Sequence, residues 1–120
     1  MIVAGFGFRA SATASSLSAA LHASEHSPSV IAAPEDKAAT PVFAEFAQSN
    51  NLIIVAVTTN ALQSVTTSTQ STISQKIRGT GSVAEACALA AAGAAARLVC
   101  SRVISPDGKA TCAIATGEDV

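Results

Sequence analysis

The stretch Leu52-Ile53-Ile54-Val55-Ala56-Val57 indicates the fold class of this 120-residue chain. It is apolar throughout, rich in β-branched side chains and bounded by polar residues at both ends. A run of this length and composition is typical of a strand covered on both faces, as in the parallel sheets of α/β proteins. We therefore expect a strand at the centre of such a sheet.

The residues before this stretch predict two further strand, loop and helix units. Residues 2–7 form a short apolar run that ends in glycines, and residues 13–26 carry leucines one helical turn apart among alanines. Residues 30–37 predict a second strand and, over their last four positions, a polar loop. Thr40 is then a helix N-cap that precedes a proline at the first helical position.

On the C-terminal side of residues 52–57 lies a Ser/Thr-rich segment, 66–74, which we interpret as a surface loop. Ser82 and Glu85 have the spacing of a capping box, in which each side chain binds the other residue's backbone amide. An alanine-rich helix follows and ends at Gly93.

Two strand-like runs, 98–100 and 110–115, are joined through a Pro-Asp-Gly turn within 105–108. The whole pattern predicts a three-layer α/β/α sandwich in one domain, residues 1–120. Its sheet is mostly parallel, with about five strands and a C-terminal antiparallel hairpin.

Composition excludes several classes of function. The net charge is −1, with seven Lys and Arg against eight Asp and Glu, and the chain has no Trp or Tyr, so we expect no nucleic-acid binding. The longest apolar run is far shorter than the roughly 20 residues that span a bilayer, so we expect no membrane insertion. The three cysteines have no metal-binding spacing, and we expect them to be reduced and mostly buried, with Cys87 in the core.

Ligands of open α/β sheets bind beyond the carboxyl ends of the strands. There, Gly5 to Ala10 matches a GxGxxA phosphate fingerprint, although the glycines could equally permit a tight turn alone. Arg9 is placed to bind a carboxylate or phosphate. Gly79 to Ser82 is either a plain helix cap or a second anion site.

Five motifs, in order and with matching spacing, resemble a known family. They are Gly5-Phe6-Gly7-Phe8-Arg9, Asp36-Lys37-Ala38, Phe46-Ala47, Gly79-Thr80-Gly81-Ser82-Val83-Ala84-Glu85-Ala86 and Gly108-Lys109-Ala110-Thr111-Cys112-Ala113-Ile114-Ala115. Over residues 2–115 the chain resembles the cobalamin biosynthesis family of CobE and the C-terminal domain of CbiG.

The resemblance implies a cytoplasmic protein of corrin-ring assembly that handles a precorrin or cobalt-precorrin tetrapyrrole. CbiG-type proteins are associated with hydrolytic opening of the δ-lactone of cobalt-precorrin-5A and release of acetaldehyde, whereas CobE proteins suit a role in holding a precorrin. Whether this chain is a hydrolase therefore stays open. If it is, Glu85 is the carboxylate expected to direct water.

A precorrin is flat and apolar at its centre and carries many peripheral carboxylates, so its site should combine cations, free amides and an aromatic face. The expected binding residues are Gly5, Phe6, Gly7, Phe8, Arg9, Lys37, Gly79, Thr80, Gly81 and Ser82, with Lys76 and Arg78 nearby. We expect no cofactor and no metal site. The alternatives are a small nucleotide- or phosphate-binding module, and a non-catalytic partner of corrin-pathway enzymes or of a second copy.

Overall fold

The computed structural model describes residues 2–58, 60–61, 83–93 and 96–117. Its elements, in chain order, are β1 (Ile2–Phe8), α1 (Ala14–Ser24), β2 (Val30–Pro34), α2 (Glu35–Ala38), α3 (Pro41–Ser49), β3 (Ile53–Val57), α4 (Val83–Ala92), β4 (Arg97–Ile104) and β5 (Ala110–Thr116).

The strands form one sheet in the order β3-β2-β1-β5-β4. The β1, β2 and β3 strands are parallel, whereas β5 is antiparallel to both of its neighbours, β1 and β4. Of the described strands, four therefore point the same way and only β5 runs against them. This confirms the predicted α/β fold with a mostly parallel five-stranded sheet and an antiparallel C-terminal hairpin.

Successive side chains of β1 point into two different hydrophobic cores, one on each face of the sheet. Ala4 and Phe6 pack with α1 and α3 on one face, whereas Val3 packs with the alanines of α4 on the other. Side chains of a strand point alternately to the two faces, so one strand contributes to both cores. The three layers follow from this arrangement.

The position predicted for the 52–57 strand is wrong. Within the part of the chain that the structure describes, β3 is last in the strand order, and β1 occupies the centre between β2 and β5. Ile53, at the start of β3, is 65% exposed. Apolar composition predicts that a segment forms a strand, but the strand order also depends on the pairing of β1 with β5, which lies more than 50 residues away from β3.

Local signals explain the helix starts, and the cap predicted at Thr40 is confirmed only in part. Thr13 caps α1 by accepting a hydrogen bond from the backbone N–H of Ser16, and the Ser16 hydroxyl accepts one from the backbone of Thr13. Pro41 begins α3 and Thr40 precedes it, as expected, but the Thr40 hydroxyl donates to the Lys37 carbonyl and makes no capping hydrogen bond. The polar loop predicted at 34–37 is instead mostly the short helix α2, which a hydrogen bond from the Ala39 N–H to the Glu35 carbonyl closes.

Candidate functional site

The carboxyl ends of the parallel strands bring several loops to one edge of the sheet. β1, β2 and β3 end there at Phe8, Pro34 and Val57. Because β5 begins opposite the end of β1, with Ala110 paired to Phe8, the β4–β5 turn lies at the same edge. This carboxyl edge is where ligands of open α/β sheets bind.

Gly5 and Gly7 lie within β1 and not in the turn that the sequence predicts. A Cβ on Gly5 would overlap the carbonyl oxygen of Ala84 and the backbone nitrogen of Ala88, both in α4. A Cβ on Gly7 would lie 3.0 Å from Oγ1 of Thr111 on β5. Gly5 is therefore required by the close approach of a helix to the sheet, which removes the turn geometry on which the phosphate fingerprint depends.

The two aromatic residues of the predicted site lie in different environments. Phe6 is fully buried, and its ring packs edge to face against Phe43 and Phe46, with centroids 5.8 and 5.4 Å away. Phe8 is half-buried and stacks on Phe43, with centroids 5.5 Å apart. Only Phe8 therefore offers ring surface for a ligand at the carboxyl edge.

Lys37 is brought to Phe8 from the short helix α2. Its Nζ atom lies 5.2 Å from the centroid of the Phe8 ring, within the range of a cation–π interaction. Lys37 is partly exposed, so its ammonium group remains available to solvent or to an anion. The structure thus joins two of the predicted site residues that lie far apart in sequence.

Arg9 is the first residue after β1, and its side chain is exposed. Its backbone N–H donates to the carbonyl oxygen of Lys109 at 2.9 Å, and its carbonyl accepts from the N–H of Ala12 at 3.0 Å. Among the described residues, the Arg9 guanidinium makes no hydrogen bond or ion pair. Its backbone is fixed, and its exposed guanidinium can meet a ligand.

Asp107 organises the β4–β5 turn, a role that the sequence does not predict. Its carboxylate accepts hydrogen bonds from the hydroxyls of Ser105 and Ser16, at 2.5 and 2.6 Å, and from the N–H of Lys109 at 3.0 Å. These donors lower the pKa of Asp107 to about 2, with Ser105 contributing most. A Pro-Asp-Gly sequence signals the turn, but not the link to Ser16 in α1.

Glu85, the candidate catalytic carboxylate, is fully buried. One of its oxygens, Oε2, accepts a hydrogen bond from the backbone N–H of Arg102 in β4 at 3.0 Å. This contact ties α4 to β4. Glu85 is therefore not open to solvent in this conformation.

Several predictions fall outside the described residues. They concern the Ser/Thr-rich stretch 66–74, Lys76, Arg78, Gly79, Thr80, Gly81 and Ser82, including the capping partner of Glu85. The predicted site can accordingly be compared with the structure at Gly5, Phe6, Gly7, Phe8, Arg9, Lys37 and Glu85.

Among the described residues, the cysteines and the other potential metal ligands do not form a second centre. Cys87 and Cys112 are buried, as expected, and Cys100 is half-buried. No group of three or more potential metal ligands occurs within ranges 2–58, 60–61, 83–93 and 96–117. None of the helices in those ranges is long and apolar enough to cross a membrane.

A shallow groove of about 510 Å³ runs between α1 and the end of β4. Ser15, His22 and Ile104 are among its lining residues, and none of the predicted site residues lines it. It has few polar groups that could orient a carboxylate-rich ligand. The carboxyl edge, with its exposed cations, is the better candidate site.

Comparison with known proteins assigns the chain to a family. The family model for the cobalamin synthesis G C-terminus matches residues 2–115. The chain belongs to this family. No curated protein matches it.

Two solved structures show the same architecture. The crystal structure of CobE, a protein from the cobalamin (vitamin B12) biosynthetic pathway, has a TM-score of 0.84 and 25% identity, covering 96% of this chain and 89% of CobE. The cobalamin biosynthesis protein chiG from Agrobacterium tumefaciens strain C58 has a TM-score of 0.76 and 30% identity, covering 99% of this chain and 100% of that one. The resemblance read from the five motifs is confirmed, and the chain is a protein of cobalamin biosynthesis.

Proposed function

We propose that this chain binds a precorrin-type tetrapyrrole at the carboxyl edge of its sheet, within a single domain formed by residues 1–120. Its family and its two structural relatives belong to cobalamin biosynthesis, whose ring intermediates are flat macrocycles fringed with carboxylates. Such a ligand needs an aromatic or apolar contact for its ring and cations for its rim.

The single observation that carries the proposal is the position of the Lys37 ammonium over the Phe8 ring, at the end of the strand that Arg9 follows. The Lys37 ammonium lies 5.2 Å from the ring centroid of Phe8, and Arg9 follows in the chain with an exposed guanidinium. An aromatic ring with one cation over its face, and a second cation at the next position in the chain, suit a macrocycle that bears acetate and propionate groups. A guanidinium binds a carboxylate through two parallel hydrogen bonds, which favours Arg9 as the principal contact.

The same geometry supports binding more than hydrolysis. Opening a lactone with water requires a general base within reach of the substrate. Glu85, the carboxylate expected in that role, is fully buried and accepts a hydrogen bond from the Arg102 backbone. We therefore propose that this edge holds a precorrin, and we assign no catalytic step to it.

A titration with hydrogenobyrinic acid, a stable metal-free corrinoid, tests the proposal by visible absorbance and calorimetry. Wild type should bind, and Arg9→Ala should weaken binding about tenfold to hundredfold, since a hydrogen bond to a charged group contributes roughly 1.5–3 kcal/mol. Lys37→Met should weaken it less because it keeps the contact with Phe8.

Arg97→Ala is the matched control for this titration. Arg97 is an exposed arginine at the start of β4, at the opposite edge of the sheet. The Arg97 variant should bind as wild type does. Equal weakening by Arg9→Ala and Arg97→Ala would mean that the ligand responds to net charge alone, and would overturn the proposed site.

A further inference from the structure

Arg9 and Lys109 face each other across the end of the β1–β5 ladder. The antiparallel register pairs Phe8 with Ala110, and the next pair in that register is Arg9 with Lys109. The hydrogen bond from the Arg9 N–H to the Lys109 carbonyl, 2.9 Å long, shows that the register continues for this one step. Two cationic residues are thus placed opposite each other on neighbouring strands.

The β1–β5 ladder ends at this pair because the Lys109 N–H and the Arg9 carbonyl form hydrogen bonds with other residues. In a continuing antiparallel ladder the Lys109 N–H would donate to the Arg9 carbonyl. Instead it donates to the Asp107 carboxylate at 3.0 Å, and the Arg9 carbonyl accepts from the N–H of Ala12 at 3.0 Å. The backbones of both cationic residues are therefore fixed on each side.

This arrangement places like charges opposite each other, which is unfavourable in a sheet. Asp107 interacts electrostatically with Lys109, and its oxygens also accept hydrogen bonds from Ser16, Ser105 and the Lys109 backbone. The Arg9 guanidinium has no acidic partner within the described part of the chain. An anion between the two side chains would neutralise the repulsion.

We infer that Arg9 and Lys109 together form a subsite for one carboxylate group of the ligand, and that Asp107 is a positioning residue that holds Lys109 in place. Lys109 is not among the residues expected from the sequence to bind the ligand. The inference rests on the proposed function for the identity of the whole ligand, but the subsite itself needs only a carboxylate.

The experiment uses citrate as a simple carboxylate probe beside hydrogenobyrinic acid. Thermal unfolding at low ionic strength is measured for wild type, Arg9→Ala, Lys109→Gln and Lys109→Glu, with Arg97→Ala as the matched control. Citrate should raise the Tm of wild type and of the Arg97 variant. It should raise the Tm much less in Arg9→Ala and Lys109→Gln, and not at all in Lys109→Glu.

Arg9→Ala also provides a reading without any ligand. It removes the repulsion and leaves Lys109 beside Asp107, so its Tm without citrate should lie above that of wild type at low salt, and the difference should shrink as salt is added. A Tm equal to or below that of wild type at low salt would overturn the inference. If Arg9 and Lys109 were ordinary solvated cations, the variant and wild type would have the same Tm without citrate.

Two outcomes separate this inference from the proposed function. If citrate changes the Tm values as expected but hydrogenobyrinic acid does not bind, the subsite stands and the proposed ligand is wrong. If hydrogenobyrinic acid binds and Lys109→Gln binds it as tightly as wild type, the proposed function stands and the paired subsite is wrong. The inference requires Lys109→Gln to weaken that binding by about tenfold.

Discussion

The buried carboxylate of Glu85, in the first turn of α4, accepts a hydrogen bond from the backbone N–H of Arg102 in β4 at 3.0 Å. Arg102 lies between Cys100 and Val103, where the pairing of β4 with β5 shifts its register. Such irregularities interrupt the hydrogen bonds of the ladder, and here a side chain from a helix accepts from the strand. Glu85 therefore ties α4 to the edge strand β4.

Glu85→Ala should lower the free energy of unfolding by about 2–4 kcal/mol, because it removes the acceptor of the Arg102 N–H and leaves a cavity. Glu85→Gln keeps an oxygen acceptor and most of the volume, so it should cost about 1 kcal/mol. Urea unfolding of both variants measures the difference. Equal stability of wild type and Glu85→Ala would contradict a structural role for this contact.

Gly5→Ala should destabilise the protein by about 3 kcal/mol or prevent folding, since overpacking costs roughly 1–3 kcal/mol and here the obstacle is backbone. The new Cβ would overlap the carbonyl oxygen of Ala84 and the nitrogen of Ala88. Gly93→Ala is the matched control: Gly93 has φ +91° and open space around its Cβ position, so only conformational strain of about 1 kcal/mol is expected. If urea unfolding shows that Gly5→Ala is no more destabilising than Gly93→Ala, the close-approach explanation is refuted.

Asp107 should make stability depend on pH below 4. Its pKa falls from an ordinary value of 3.8 to about 2 in the folded protein, chiefly through Ser105 and Ser16. Because the folded pKa is depressed, the carboxylate's contribution is present above about pH 4 and is lost as the pH falls through 2. The difference in free energy of unfolding between wild type and Asp107→Asn should therefore shrink over this range.

The matched control for that pH series is Glu45→Gln, which removes an exposed carboxylate from α3. It corrects for the loss of one negative charge. A difference between wild type and Asp107→Asn that is unchanged from pH 5 to pH 2 would show that the hydrogen bonds of Asp107 do not stabilise its ionised form.

The thiols should react in an order set by burial. Burial raises the pKa of Cys112 to about 12 and also raises the pKa of Cys100, which is only half-buried. At pH 8 a disulfide reagent should modify Cys100 slowly, and Cys87 and Cys112 only as fast as the protein opens. Cys100→Ser should remove the early phase, whereas an early phase that survives this change would mean that α4 or β5 opens readily.

Local features of the fold could be predicted because they depend on neighbouring residues. Pro41 marks a helix start, and Pro106 to Gly108 mark a turn, through backbone conformations that those residue types favour. The central position given to β3 failed because strand order depends on which distant strands pair. Nothing in the apolar composition of residues 52–57 distinguishes a central strand from one at the edge of the sheet.

The candidate site could be predicted only where it depends on neighbouring residues in the sequence. Arg9 stands at the end of a strand, where the edge of an α/β sheet is expected to bind ligands. The contact of Lys37 with Phe8 and the pairing of Arg9 with Lys109 need the strand register, which the sequence does not reveal. A glycine required by a close helix likewise looks in sequence like one required by a turn, as Gly5 shows.

The most direct measurement of the central claim is a ¹H–¹⁵N NMR titration of the protein with hydrogenobyrinic acid. We expect the largest shift changes at the amides of Phe8, Arg9, Lys37 and Lys109, around the carboxyl edge, and little change at Arg97. Changes that instead cluster at Ser15, His22 and Ile104, along the groove between α1 and β4, would contradict the account, as would no change anywhere at saturating ligand.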